Sequence, residues 1–170
     1  MKININGYII PNEYKRVYDF FGMESCCPND IKTAKLKSVN EPLDITIGTC
    51  YGGSIFAGSE IGSEIAAHEP GSSGRIMGLA ASAASVLAMY IQHLSMAPTA
   101  MMMVHNVSSE AEGDYHVMDK ESTTLKNCNK ALSAAYVLKS GMPEKDALKM
   151  MDETSWLTAQ QAKEKGLIDE

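Results

Sequence analysis

Ser82 and His105 are the residues of this 170-residue chain whose types and spacing best suit chemistry. Ser82 lies in Gly78-Leu79-Ala80-Ala81-Ser82-Ala83-Ala84-Ser85, where an apolar strand gives way to a helix and the nearest side chains are small enough for close approach. His105 ends the next apolar run, Met102-Met103-Val104. A serine hydroxyl becomes a useful nucleophile only when a base accepts its proton, and the oxyanion formed on attack needs preorganised N–H donors. The first turn of a helix beginning near Ser82 leaves N–H groups unpaired, that of Ala83 among them, and Gly53 of the Gly52-Gly53 pair offers another. The pattern reads as acyl transfer by an activated serine.

The surrounding elements are placed by their periodicity. Ile3 to Ile10 alternates apolar and polar residues around Gly7 and reads as an edge or hairpin strand. A helix with a Tyr14, Val17, Phe20, Phe21 face follows, then a short helix from Pro28 to about Lys37 capped by Asn29 or Asp30. Asp44 to Thr49 is a strand, Gly52-Gly53 a turn, Ile55 to Glu69 a small-residue helix and Arg75 to Leu79 a strand. Ser82 to Leu94 is a helix that is apolar nearly all round, and Ala100 to Val104 a strand. Strands alternating with helices through short loops predict parallel β-α units, an α/β fold and a site at the carboxyl ends of the strands. Gly53, Ser82 and His105 all fall there. A long helix from Tyr115 to Ser140, stopped by Gly141, makes an arm with a partial apolar face of Val117, Met118, Leu125, Leu132 and Tyr136. Pro143 restarts a helix, and Thr158-Ala159-Gln160-Gln161 is a capping box for a last helix that stops at Gly166. With no linker, repeat or low-complexity tract, residues 1–170 read as one domain.

Composition removes several classes of function. A net charge of −6 without a basic cluster excludes nucleic acid as the main partner and supplies no pyrophosphate site for coenzyme A chemistry. The four cysteines, Cys26, Cys27, Cys50 and Cys128, have no metal-ligand spacing and read as reduced thiols in a cytoplasm-like compartment. No metal or cofactor is expected. The amino terminus lacks the pattern of a signal peptide, and no apolar run is long enough to span a bilayer. His68, His93 and His116 read as surface or helix-end residues, and Trp156 as an anchor for the last helix.

Four motifs in this order resemble the proteolytic subunit of the Clp protease. They are Gly-Gly after a strand, Gly-x-Ala-Ala-Ser-x-Ala at a strand-to-helix turn, Met-x-x-His-Asn at a strand end, and Trp-Leu-Thr-Ala-x-x-Ala-x-x-x-Gly-Leu-Ile-Asp near the carboxyl end. More closely, they resemble the Clp-protease-like head maturation proteases of phages and prophages. The resemblance implies a spiral of β-β-α units shared with the crotonase fold and a helical handle over about residues 115–140. It also implies a homo-oligomer acting on protein or peptide substrate. Ser82 would be the nucleophile, His105 the base, and the N–H groups of Gly53 and Ala83 the oxyanion hole. The first strand begins almost at residue 1, leaving little room for the axial loop that meets an ATPase, so no ATPase partner is expected.

The third triad member is the departure. The family's acid lies two positions before the aromatic of the Trp-Leu-Thr-Ala motif, and Thr154 stands there. A one-residue shift would present Glu153 to His105 instead. The role needs an acceptor that fixes the imidazole tautomer and a charge that stabilises the imidazolium, and a threonine supplies only the first. The triad is therefore complete through Glu153, weakened through Thr154, or degenerate, and a degenerate site would leave an assembly protein. A second departure is Val107-Ser108-Ser109-Glu110, where the family continues from its histidine with proline and glycines.

Overall fold

The computed structural model describes residues 2–170. Seven strands among them form one sheet: β1 (Lys2–Ile9), β2 (Ser25–Cys26), β3 (Leu43–Gly53), β4 (Ser72–Ala81), β5 (His93–Met96), β6 (Met101–Val104) and β7 (Ser155–Thr158). Their order is β2-β1-β3-β4-β6-β7, with β5 also on β4, and all pairings are parallel except β6 with β7. A 3-10 turn (Asn12–Tyr14) and seven helices connect them: α1 (Lys15–Phe20), α2 (Pro28–Lys37), α3 (Ile55–Ala66), α4 (Ala83–Ala88), α5 (Tyr115–Ser140), α6 (Glu144–Asp152) and α7 (Ala159–Glu164). The mixed α/β architecture and the 26-residue helical arm agree with the sequence reading.

The isoleucines carry the core. Ile5, Ile45, Ile47 and Ile76 of the sheet and Ile31, Ile61 and Ile65 of the covering helices are all 1 % exposed or less. Each such side chain contributes roughly 1.5–3 kcal/mol on burial. Helix α3 approaches α4 through glycines: a Cβ on Gly58 would lie 3.0 Å from Ala83 Cβ, and one on Gly62 2.5 Å from the Tyr90 ring. That close approach fixes where α4 starts, and Ser82 is its N-cap.

Strand β4 serves two neighbours. Its first half, Ser73 to Ile76, pairs with β5, and its second, Leu79 to Ala81, with β6. Between them the β3–β4 register slips, with Ile47 opposite Ile76 but Thr49 opposite Leu79, so Gly48 alone faces Met77 and Gly78. Such a bulge bends a strand. The end of β4 thereby reaches β6 and, with it, His105.

Several local expectations are corrected. β1 is interior, parallel to both β2 and β3, and the edge falls to the two-residue β2. Gly52 and Gly53 end β3 rather than forming a separate turn. Cys27, not Asn29 or Asp30, caps α2, while Asp30 accepts the Cys27 N–H at 2.9 Å. The helix after Ser82 is only six residues long, so that Leu94 lies in β5. The face of Tyr14, Val17, Phe20 and Phe21 is exposed throughout. His68, just past the C-cap of α3 and so at the helix end, is buried rather than at the surface, bonded through Nε2 to Glu41 O at 2.9 Å. Trp156 is not a buried anchor for the last helix: it lies on β7 opposite Met103, 53 % exposed, and the neighbouring Leu157 is the buried residue.

Candidate active site

Strand register brings serine and histidine together. In the parallel β4–β6 pair Ala81 faces Met103, and the Ser82 N–H donates to Met103 O at 2.9 Å. Ser82 is one residue past the end of β4, and His105 one past the end of β6. His105 Nε2 lies 2.8 Å from Ser82 Oγ. For the serine to donate, Nε2 must be the unprotonated nitrogen and Nδ1 must carry the ring proton.

Ser82 has φ 56 and ψ −126, a sparsely populated positive-φ conformation that costs an L-residue about 1–3 kcal/mol, at a sharp strand-to-helix turn. The turn exists because the neighbouring backbone is glycine. A Cβ on Gly52, itself at φ +83, would lie 2.6 Å from Ala81 O and 2.9 Å from Ala83 N. Within α4, Ser82 O takes the N–H groups of Ser85 and Val86, leaving those of Ala83 and Ala84 without an acceptor among the described residues. Gly53 and Ala83 line the same cleft as Ser82 and His105. The cleft is small, about 70 Å³. A larger groove of about 390 Å³, lined by Asp44, Arg75, His93 and Asp169, lies at the opposite ends of the strands.

Two features of the site escaped the sequence reading. Ser85 Oγ donates to Ser82 O at 2.7 Å and lies 2.8 Å from Tyr136 Oη. With the single Ser85 proton committed, Tyr136 is the donor in the second bond. Burial pushes the Tyr136 phenol well above its ordinary range, and the Ser85 bond only partly offsets this, so it stays a neutral donor. A buried chain thus runs from α5 to the nucleophile turn. The second is Asn106, whose Nδ2 donates to Asp152 Oδ1 at 2.7 Å. The next N–H, that of Val107, donates to Asn129 Oδ1 of α5 at 2.7 Å.

The two candidates for the acid are placed differently. Glu153 is exposed and pairs with Lys149 at 3.7 Å. Thr154 adopts φ 50, unusual for a β-branched residue. Among the described residues neither is hydrogen-bonded to His105, whose one bond is to Ser82. No group of three or more His, Cys, Asp or Glu side chains among them converges as a metal site would, and no helix among them is long and apolar enough to cross a membrane.

A mainly parallel sheet carrying a hydroxyl against an imidazole at the ends of adjacent strands is the architecture of a serine-type peptidase. The family model for Clp protease matches residues 30–170, which hold every candidate site residue, and the chain belongs to that family. No curated protein matches the chain.

Proposed function

We propose that the protein is a serine endopeptidase that opens peptide bonds through Ser82 and His105. The observation that carries this reading is the 2.8 Å contact between Ser82 Oγ and His105 Nε2 at a strained turn. In this mechanism Ser82 Oγ attacks the scissile carbonyl carbon as its proton passes to His105 Nε2. The Ala83 and Gly53 N–H groups receive the oxyanion. Collapse breaks the C–N bond, His105 returns the proton to the leaving amine, and water repeats the sequence on the acyl-enzyme. The finer assignment, maturation of phage or prophage heads by a cytoplasmic homo-oligomer, rests on the resemblance of the four motifs. A catalytically silent assembly protein is the second reading, favoured by the absence of an acid bonded to His105 among the described residues.

Treatment with a fluorophosphonate followed by intact mass and peptide mapping separates the two. Labelling at Ser82 that disappears in His105→Ala is expected. Folded protein that stays unlabelled would leave the silent reading standing.

A further inference from the structure

An acid reaches this site without touching the histidine. Asn106 is next to His105 in the chain, lines the same cleft, and donates through Nδ2 to Asp152 at the end of α6. A carboxylate only accepts, so this bond decides which way the amide faces: the NH₂ turns to Asp152 and Oδ1 turns away. That Oδ1 is buried and has no donor. Buried polar atoms are nearly always paired, so an orphan acceptor calls for an explanation. His105 supplies a matching donor. With Nε2 taking the Ser82 proton, Nδ1 carries an N–H that no group among the described residues accepts. An acceptor without a donor and a donor without an acceptor therefore occupy consecutive residues of one cleft wall.

Resting on the peptidase reading above, we propose that Asp152, acting through Asn106, takes the part of the third triad member. During attack Asn106 Oδ1 accepts the Nδ1–H of His105, while Asp152 holds the amide in that orientation and places a negative charge behind it. The bond that forms is Ser82 Oγ to the carbonyl carbon, the proton moves from Oγ to Nε2, and Nδ1 keeps its own. No proton passes to Asp152. An asparagine serves a catalytic histidine in the same way in Cys-His-Asn sites. Both residues are positioning residues and neither touches substrate. The other charged groups around the site are engaged elsewhere: Glu153 with Lys149, and Glu121 of α5 with Ser109. Tyr136 is neutral, and Asn129 is committed to Val107.

The test is the second-order rate of fluorophosphonate labelling at Ser82 in the full chain. Asp152→Asn and Asn106→Ala should each slow it by about tenfold, well short of the roughly 10⁴-fold of a buried triad acid, because Asp152 is exposed and screened. The double variant should be no slower than Asn106→Ala alone, since Asp152 acts only through that amide. The Asp152→Asn deficit should also shrink between about 0.1 M and about 1 M salt, as the screening length falls from about 10 Å to about 3 Å. Glu153→Gln should label within about twofold of the natural protein, as expected of an exposed pair. Asp152→Asn at the natural rate, a deficit indifferent to salt, or a double variant whose loss is the product of the singles would overturn the proposal while leaving Ser82 and His105 in place. Natural protein that does not label at all would overturn both readings. Because Asp152 is exposed, its substitution should leave the protein folded, and its salt series decides the matter even where Asn106→Ala does not fold.

Discussion

Replacing Gly52 with alanine tests whether the nucleophile's geometry rests on a backbone close approach. A Cβ there would lie 2.6 Å from Ala81 O, 2.7 Å from Ser82 Cβ and 2.9 Å from Ala83 N, and none of these is the end of a flexible side chain. Accommodation has to come from the turn itself, at the residues that hold the hydroxyl and its oxyanion donor. The left-handed φ of +83 adds about 1–2 kcal/mol for any residue with a Cβ. In a chain of this length that is a fall in Tm of a few degrees, at roughly 2–4 °C per kcal/mol. The effect on chemistry is larger, because misplacing a single oxyanion donor costs about 10²–10³ in rate. Gly52→Ala should therefore remain folded at 25 °C yet label at Ser82 about 100-fold more slowly. Gly141→Ala is the control: its φ is +73 with nothing within 4 Å of the new Cβ, so it incurs the backbone penalty without the clash. It should melt a few degrees lower and label at the natural rate. Folded Gly52→Ala that labels normally, or Gly141→Ala that loses labelling equally, would refute the reasoning.

Three further outcomes follow from the same contacts. Tyr136→Phe removes the phenol that donates to Ser85 and should cost about 1 kcal/mol, seen as a fall of about 2–4 °C in Tm; an unchanged Tm would show the buried bond to be neutral. Asp169 is opposed by burial, but the Leu94 N–H and Lys139 outweigh it and hold its carboxyl below the ordinary range. A depressed folded value contributes stability above the unfolded one, so Asp169→Asn should lower Tm at pH 7, with the difference fading below about pH 4; a pH-independent difference would contradict this. The first half of α5 exposes Tyr115, Val117 and Met118, and its burial against a second copy predicts an oligomer. A monodisperse monomer at micromolar concentration, measured by solution mass, would count against it.

The sequence reading succeeded where one periodicity holds long enough to decide an element. Helix α5 begins at Tyr115 and ends at Ser140 as read, because 26 residues contain no breaker before Gly141, which takes the left-handed φ of 73. Where two elements share a short apolar stretch, periodicity does not separate them. Ala83 to Met96 holds a six-residue helix, a reversal at Tyr90 to Gln92 and a four-residue strand, and its uniform hydrophobicity reads as a single helix. Strand β7 was lost for a related reason: four residues between helices, of which Leu157 alone is buried, carry almost no alternation. The exposed aromatics of α1 followed a helical pattern that tertiary packing does not use.

The serine and histidine were legible because adjacent parallel strands impose a register. Once β4 and β6 pair, the residues just beyond their carboxyl ends are neighbours whatever the loops do, and small residues around Ser82 mark the turn. The acid proposed above has no such constraint. It comes from the end of α6, where a change of one residue turns a side chain by about 100° around the helix, so Asp152 and Glu153 point to different partners, Asn106 and Lys149. Sequence spacing selects Glu153 because it adjoins the expected position, whereas the helix turns Asp152 toward Asn106. Asn106 was the available signal, a second polar residue directly after the base, and it was passed over as part of a motif. The same logic makes the acid the most changeable part of the site. The sheet holds Ser82 and His105 through backbone bonds that a side-chain substitution leaves in place, while the carboxylate depends on one side-chain contact at a helix end.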